Sequence, residues 1–201
     1  MQLLFVCTGN LCRSPVAERL ATAWARQALA DSPELGEVTI LSAGIEAEAG
    51  LTIAPSSARA LQRLGGDAEG FSSRQLTAEL AAGADLVLTM TRNHRRNVLQ
   101  LAPRKLRHTF TLTEAADLLN HADLRGLRTM PLAWRARELG RRLDAARAHR
   151  SPAGPDDVTD PMGQRPVVHE QVADIIAAAL RPLADVVLTS VRDQPALRVP
   201  A

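Results

Sequence analysis

The chain has 201 residues, of which 46% are hydrophobic and 23% charged, with a net charge of +2 and a mean hydropathy of −0.07. That composition supports a core of one α/β-sized domain and excludes a disordered chain; no apolar run reaches the ~18 residues of a membrane span. Aromatic residues are scarce, three Phe and two Trp with no Tyr, so a pocket that stacks flat rings has little to build its walls from.

Charge is unevenly spread. Between Arg92 and Arg150 fourteen Lys/Arg face five Asp/Glu. Such a stretch can meet nucleic acid, anionic lipid or acidic protein, but a solvated helical face is the plainer reading, and neither a nucleic-acid nor a membrane partner is expected. Two cysteines, Cys7 and Cys12, are too few for a disulfide scaffold or a structural zinc site. With no basic segment ahead of the first apolar run, a cytoplasmic location is expected.

In chain order, Gln2–Val6 reads as a short buried strand, followed by a loop over Cys7–Ser14 and a helix opened by Pro15 that runs to about Ala30. Glu37–Leu41 is a second strand ending in Ser42-Ala43-Gly44, and Pro55–Leu64 a helix stopped by Gly65-Gly66. Leu76–Ala82 is a short helix, Asp85–Met90 a third strand, Arg92–Leu101 a helix and His108–Leu112 a fourth strand leading into helical Glu114–Leu119. Strands alternating with helices predict a parallel sheet covered on both faces. Leu132–Arg150 is helical, with Trp134 expected to anchor it in the core, and His94 is given a surface or packing role. Ser151–Gly163 is a Pro/Gly/Asp-rich loop, and Val167–Leu188 is a helix that Pro182 should kink or end. Residues 1–190 form a single domain with a helical insertion at about 120–155, and 191–201 a loose tail.

The informative stretch is Cys7-Thr8-Gly9-Asn10-Leu11-Cys12-Arg13-Ser14-Pro15, a C-x5-R-S between a strand and a helix. Five residues between Cys and Arg let the backbone curl so that successive N–H groups converge on one anion, and the following helix adds its positive end. Gly9 would supply the unusual dihedral the curl needs. Arg13 is a planar fork for two phosphate oxygens, Ser14 can donate to the sulfur, and Cys7 on the floor of the nest is placed for in-line attack. A phosphocysteine route also needs an acid for the leaving oxygen and a base for water. Asp160, in Thr159-Asp160-Pro161-Met162-Gly163, is the candidate.

Together with LSAG at 41–44, SRQLT at 73–77, ADLVLTMT at 84–91, FTL at 110–112 and DP at 160–161, these residues resemble the low-molecular-weight protein tyrosine phosphatase family. The resemblance implies a three-layer sandwich with a four-stranded parallel sheet in flavodoxin-like order 2-1-3-4. It also implies Cys7 as nucleophile, Arg13 as phosphate clamp, Asp160 as general acid, and Thr8, Gly9, Asn10, Leu11, Cys12 and Ser14 as the phosphate loop. Cys12 would protect Cys7 through a reversible disulfide, and no cofactor or metal is implied. Three places depart from the family. The aromatic walls of tyrosine-specific members fall on Glu48 and Met162, and the histidine that braces the loop asparagine is replaced by Phe71. Leu11 is a bulky aliphatic as in tyrosine-directed relatives, whereas phosphoarginine phosphatases carry Thr there. The expected substrate is a phosphorylated protein or a small aryl phosphate. Arsenate reduction with a small thiol, phosphoarginine hydrolysis and a non-catalytic phosphate-reading module are the alternatives.

Overall fold

The computed structural model describes residues 1–151 and 156–188; the expected tail at 191–201 lies outside them. The elements in order are β1 (Gln2–Cys7), α1 (Arg13–Ala28), β2 (Thr39–Gly44), α2 (Pro55–Arg63), α3 (Ala78–Gly83), β3 (Leu86–Thr89), α4 (Arg92–Leu101), β4 (Thr109–Thr111), α5 (Leu112–Leu118), α6 (Leu132–Ala146) and α7 (Pro166–Val187). All pairings are parallel and the strand order is β2-β1-β3-β4, as expected.

The period-2 alternation of β1 builds both faces of the sandwich. Leu3, Phe5 and Cys7 point into the larger apolar cluster, shared with Leu20 of α1, Leu61 of α2, Leu118 of α5 and Ile176 of α7. Leu4 and Val6 point into the smaller one, with Ala81 of α3 and Val98 of α4. Cys7 is thus delivered to the end of the central strand on a fixed face, which is the first requirement of a preformed site.

Four expectations are corrected. β2 does not stop at Leu41 but continues through Gly44, because it pairs with β1 as far as Cys7↔Gly44. The first helix begins at Arg13, two residues ahead of Pro15, so the guanidinium springs from its first turn. Pro182 lies inside α7 without ending it. The buried stripe around it (Ile176, Leu180, Leu183, Val187) outweighs one lost hydrogen bond, since each such side chain contributes about 1.5–3 kcal/mol against ~3 kcal/mol for an interior proline. Trp134 is 56% exposed rather than a core anchor, with the Arg137 guanidinium 5.9 Å from its ring centroid. Leu132, Ala136, Leu139 and Leu143 form the apolar stripe of α6, and position 134 falls off it.

The helix itself ends at Ala146, and Arg147–His149 form a 3-10 turn. Much of the charge of the basic stretch is matched within the chain, while Arg137 and Arg141 keep their side chains largely in solvent, as expected of a solvated face. Arg141 and Arg142 pair with Glu138, Arg137 with Asp85, and Arg147 with Glu114 and Asp144. Among the described residues no helix is long and apolar enough to cross a membrane.

Candidate active site

In a parallel sheet of this order the crevice opens at the carboxyl ends of β1 and β3, where the chain winds in opposite directions. The Cys7–Ser14 loop follows β1 there, and α4 begins beside it. The loop carbonyls are turned outward: Cys7, Thr8 and Leu11 accept from the N–H groups of Ile45, Glu46 and Ala54. The N–H groups of Thr8 to Cys12 take no protein acceptor among the described residues. Five donors on one curl before a helix N-terminus make an anion nest.

The left-handed residue of this curl is Asn10, at φ 55°, not Gly9 as the sequence suggested. Asparagine tolerates that region better than other side chains, and here its amide is also used. Gly44 is the glycine the loop demands: a Cβ there would stand 2.3 Å from the Thr8 carbonyl oxygen and 2.8 Å from the Asn10 nitrogen.

Below the nest a buried polar chain leads to the sulfur. Asn10 Nδ2 donates to Ser14 Oγ at 2.9 Å and to Ser42 Oγ at 2.8 Å, while its Oδ1 accepts from the Arg74 N–H at 2.9 Å. With Ser14 Oγ accepting from Asn10, its own proton is available to Cys7 Sγ, 2.9 Å away. Ser42 in turn donates to Glu18 Oε2 at 2.5 Å, and burial pushes the Glu18 carboxyl above its usual range. Phe71, which replaces the expected bracing histidine, lies in the core with Arg19 over its ring at 5.5 Å. Asn10 is braced instead by Ser42, Glu18 and a backbone N–H. Sequence reading missed Ser42, Glu18 and Gly44, which reach the loop only through the pairing of β2 with β1 and the packing of α1.

Arg13 is 96% buried, and its guanidinium is held on two sides. Nη1 donates to the Val158 carbonyl at 3.0 Å, and Nη2 to Thr8 Oγ1 at 3.2 Å and to Asp160 Oδ2. Nε is buried and has no protein partner among the described residues. Nε lies on the same guanidinium edge as Nη2, so a tetrahedral oxyanion that displaces Asp160 from Nη2 is gripped there in two places. Asp160 is 45% exposed and also accepts from the Met162 N–H at 3.1 Å, which holds its carboxyl at the mouth of the nest.

His94 is more than a packing residue. It is buried on α4 with Nε2 3.0 Å from Thr8 Oγ1, the same oxygen that Arg13 uses. Burial, followed by the Arg13 charge, lowers its pKa to about 4, while Asp160 and Asp157 oppose that shift. A folded pKa below the unfolded one stabilises the fold above pH ~6.5 and loses that contribution as pH falls through about 4. We expect roughly 2 kcal/mol of unfolding free energy to disappear between pH 7 and pH 4. Urea midpoints of wild type and His94→Gln across that range check this, the variant giving the flatter profile.

Cys12 is a free, buried thiol whose pKa burial raises to about 11, with Ser57 as its hydrogen-bond partner. It stays protonated at neutral pH. Leu11 is partly exposed, and Glu48 and Met162 are exposed. The structure thus gathers Cys7 through Ser14 and brings Asp160 to them from 147 residues beyond Arg13.

Residues 2–125 match the family described as Low molecular weight phosphotyrosine protein phosphatase. The chain belongs to that family. Its relatives include the probable low molecular weight protein-tyrosine-phosphatase EpsP of Ralstonia solanacearum, 37% identical over 112 residues, which are 56% of this chain and 70% of that protein. The protein-arginine-phosphatase of Bacillus subtilis (strain 168) is 38% identical over 114 residues, 57% of this chain and 71% of that one. A solved structure of the YwlE arginine phosphatase with a phosphorylated active site serine superposes with a TM-score of 0.66 at 28% identity, covering 96% of this chain and 99% of that one. The enzyme is accordingly a cysteine-dependent phosphatase of the protein-tyrosine-phosphatase type. Asp160 lies beyond the matched residues 2–125, so its place beside Arg13 is a contribution of the structure.

Proposed function

We propose that this phosphatase hydrolyses phosphotyrosine in proteins, with Cys7 as nucleophile, Arg13 as clamp and Asp160 as acid and base. The observation that carries the mechanism is Cys7, its Sγ 2.9 Å from Ser14 Oγ, opening a nest of N–H groups unpaired among the described residues, with the Arg13–Asp160 pair closing it. An incoming phosphoryl group takes Nε and Nη2 of Arg13, and Asp160 is released toward the leaving oxygen. With its proton passed through solvent to Asp160 as that carboxyl leaves Arg13, Sγ attacks phosphorus in line, the P–S bond forms as the P–O bond breaks, and Asp160 gives the proton to the departing oxygen. Asp160 then removes a proton from water, whose oxygen attacks phosphorus; the P–S bond breaks and the electron pair returns to Cys7. The Ser14 hydroxyl, oriented by Asn10, stabilises sulfur in both steps. The protected position of both thiols fits a reducing compartment, and we place the enzyme in the cytoplasm, with Cys12 available to form a disulfide with Cys7 under oxidation.

Leu11 supports phosphotyrosine, as an aliphatic contact for the ring. A second reading, phosphoarginine, is favoured by the non-aromatic rim at Glu48 and Met162, which forgoes ring stacking worth about 0.5–1.5 kcal/mol per pair. The likeness to an arginine phosphatase supports it as well. Turnover of phosphotyrosine peptides, phosphoarginine peptides and aryl phosphates, with arsenate plus thiol as a further arm, decides between them. The highest kcat/KM is expected on phosphotyrosine. A higher value on phosphoarginine reassigns the substrate, arsenate turnover alone replaces the reaction, and tight phosphate binding with no turnover makes the chain a binding module.

A further inference from the structure

The segment 156–160 that carries Asp160 is pinned at its start by a buried charge cluster. Asp156 is 7% exposed and Arg150 10% exposed at the side chain. Arg150 donates to both Asp156 oxygens, at 2.5 and 3.2 Å, and to Asp117 Oδ2 of α5 at 2.5 Å. Arg92, at the start of α4, donates twice to the same Asp156 carboxylate, at 2.7 and 3.2 Å. The Thr113 hydroxyl donates to the Asp156 carbonyl at 2.7 Å, and the Arg92 N–H to Asp157 Oδ1 at 2.8 Å. Val158 N–H then bonds the Met90 carbonyl at the end of β3, while the Val158 carbonyl holds Arg13 Nη1.

A loop that must present a carboxyl to within an ångström needs such a brace, since small misplacement of a reacting group costs orders of magnitude in rate. The basic stretch found in the sequence also acquires a use here, because Arg150 directly follows the 3-10 turn after α6. We propose that Arg150, through Asp156, is a positioning residue for the acid loop, so that the Arg-rich segment sets the geometry of leaving-group protonation. Its effect is exerted on Asp160 and not on the nest. The two arginines keep Asp156 ionised, its pKa being lowered first by the Arg150 hydrogen bonds. Removing Arg150 leaves Arg92 on that carboxylate, so the cluster loses one arm without stranding a buried charge.

This inference rests on Asp160 being the acid, and the experiment separates the two. Arg150→Met and Arg150→Lys are made in the wild-type and Asp160→Ala backgrounds. kcat/KM is measured on aryl phosphates of graded leaving-group pKa, with phosphate affinity as a control on the nest. Arg150→Met is expected to lower kcat/KM by about tenfold for poor leaving groups and by about twofold or less for good ones, a fraction of the 10²–10⁴ that an acid supplies. It should cost nothing further in the Asp160→Ala background, leave phosphate affinity unchanged, and be partly rescued by Lys. A loss equal across leaving groups, or one that multiplies with Asp160→Ala, overturns the positioning role while the acid assignment stands. If Asp160→Ala itself shows no leaving-group dependence, the acid assignment fails and the inference falls with it. Should Arg150→Met not fold, the Lys variant carries the same comparison.

Discussion

Replacing Cys7 by Ser is expected to abolish turnover, by roughly 10⁴-fold or more, while phosphate still binds. The reason lies in what surrounds position 7. The one side chain bonded to Sγ is the Ser14 hydroxyl, itself fed by Asn10. Nothing in that chain takes a proton from a serine hydroxyl, so the substituted residue is a far weaker nucleophile than sulfur, and a phosphoserine, once formed, is a far poorer leaving group than a phosphocysteine. The anion site, by contrast, consists of backbone N–H groups and Arg13, which the substitution leaves in place. Calorimetric titration with inorganic phosphate should give an affinity equal to or above that of wild type. Activity surviving in the variant removes Cys7 as nucleophile, and loss of phosphate binding removes the nest as the anion site.

For Asp160→Ala the expected loss depends on what departs. In kcat/KM, which reports the first half of the reaction, poor leaving groups should suffer by about 10²–10⁴-fold and good ones by less than about tenfold. An oxygen that departs readily as an anion needs no proton, whereas an alkyl or unactivated aryl oxygen does. Asp160 is placed for this by being 45% exposed at the mouth of the nest and tied to Arg13. A slope of log kcat/KM against leaving-group pKa that steepens in the variant is the signature. An unchanged slope assigns proton transfer elsewhere.

How much of this was legible in the sequence depends on how local each feature is. The parallel sheet followed from strand and helix alternation, because parallel strands buried on both faces write themselves as short apolar runs, whereas its order came from the family resemblance. The C-x5-R-S loop was legible for a similar reason: its chemistry is contained in nine consecutive residues. What escaped was tertiary. Trp134 was misplaced because only the register of α6 against the core decides which of its faces is buried. The positive φ was assigned to Gly9 when it belongs to Asn10, since Gly44 presses on the loop from a strand that sequence reading ended too early. The bracing of Asn10 by Ser42 and Glu18, the contact of His94 with Thr8, and the Arg92 arm of the clamp on Asp156 all join residues far apart in the chain. No spacing rule encodes them.

The phosphocysteine intermediate is the central claim, and a rapid-quench experiment tests it most directly. Wild-type enzyme is mixed with a radiolabelled aryl phosphate, denatured within the first turnover and mapped by mass spectrometry. One phosphoryl group per chain on Cys7 is expected, formed at least as fast as inorganic phosphate appears. Turnover without label on the protein, or label on Cys12 or any other residue, contradicts it.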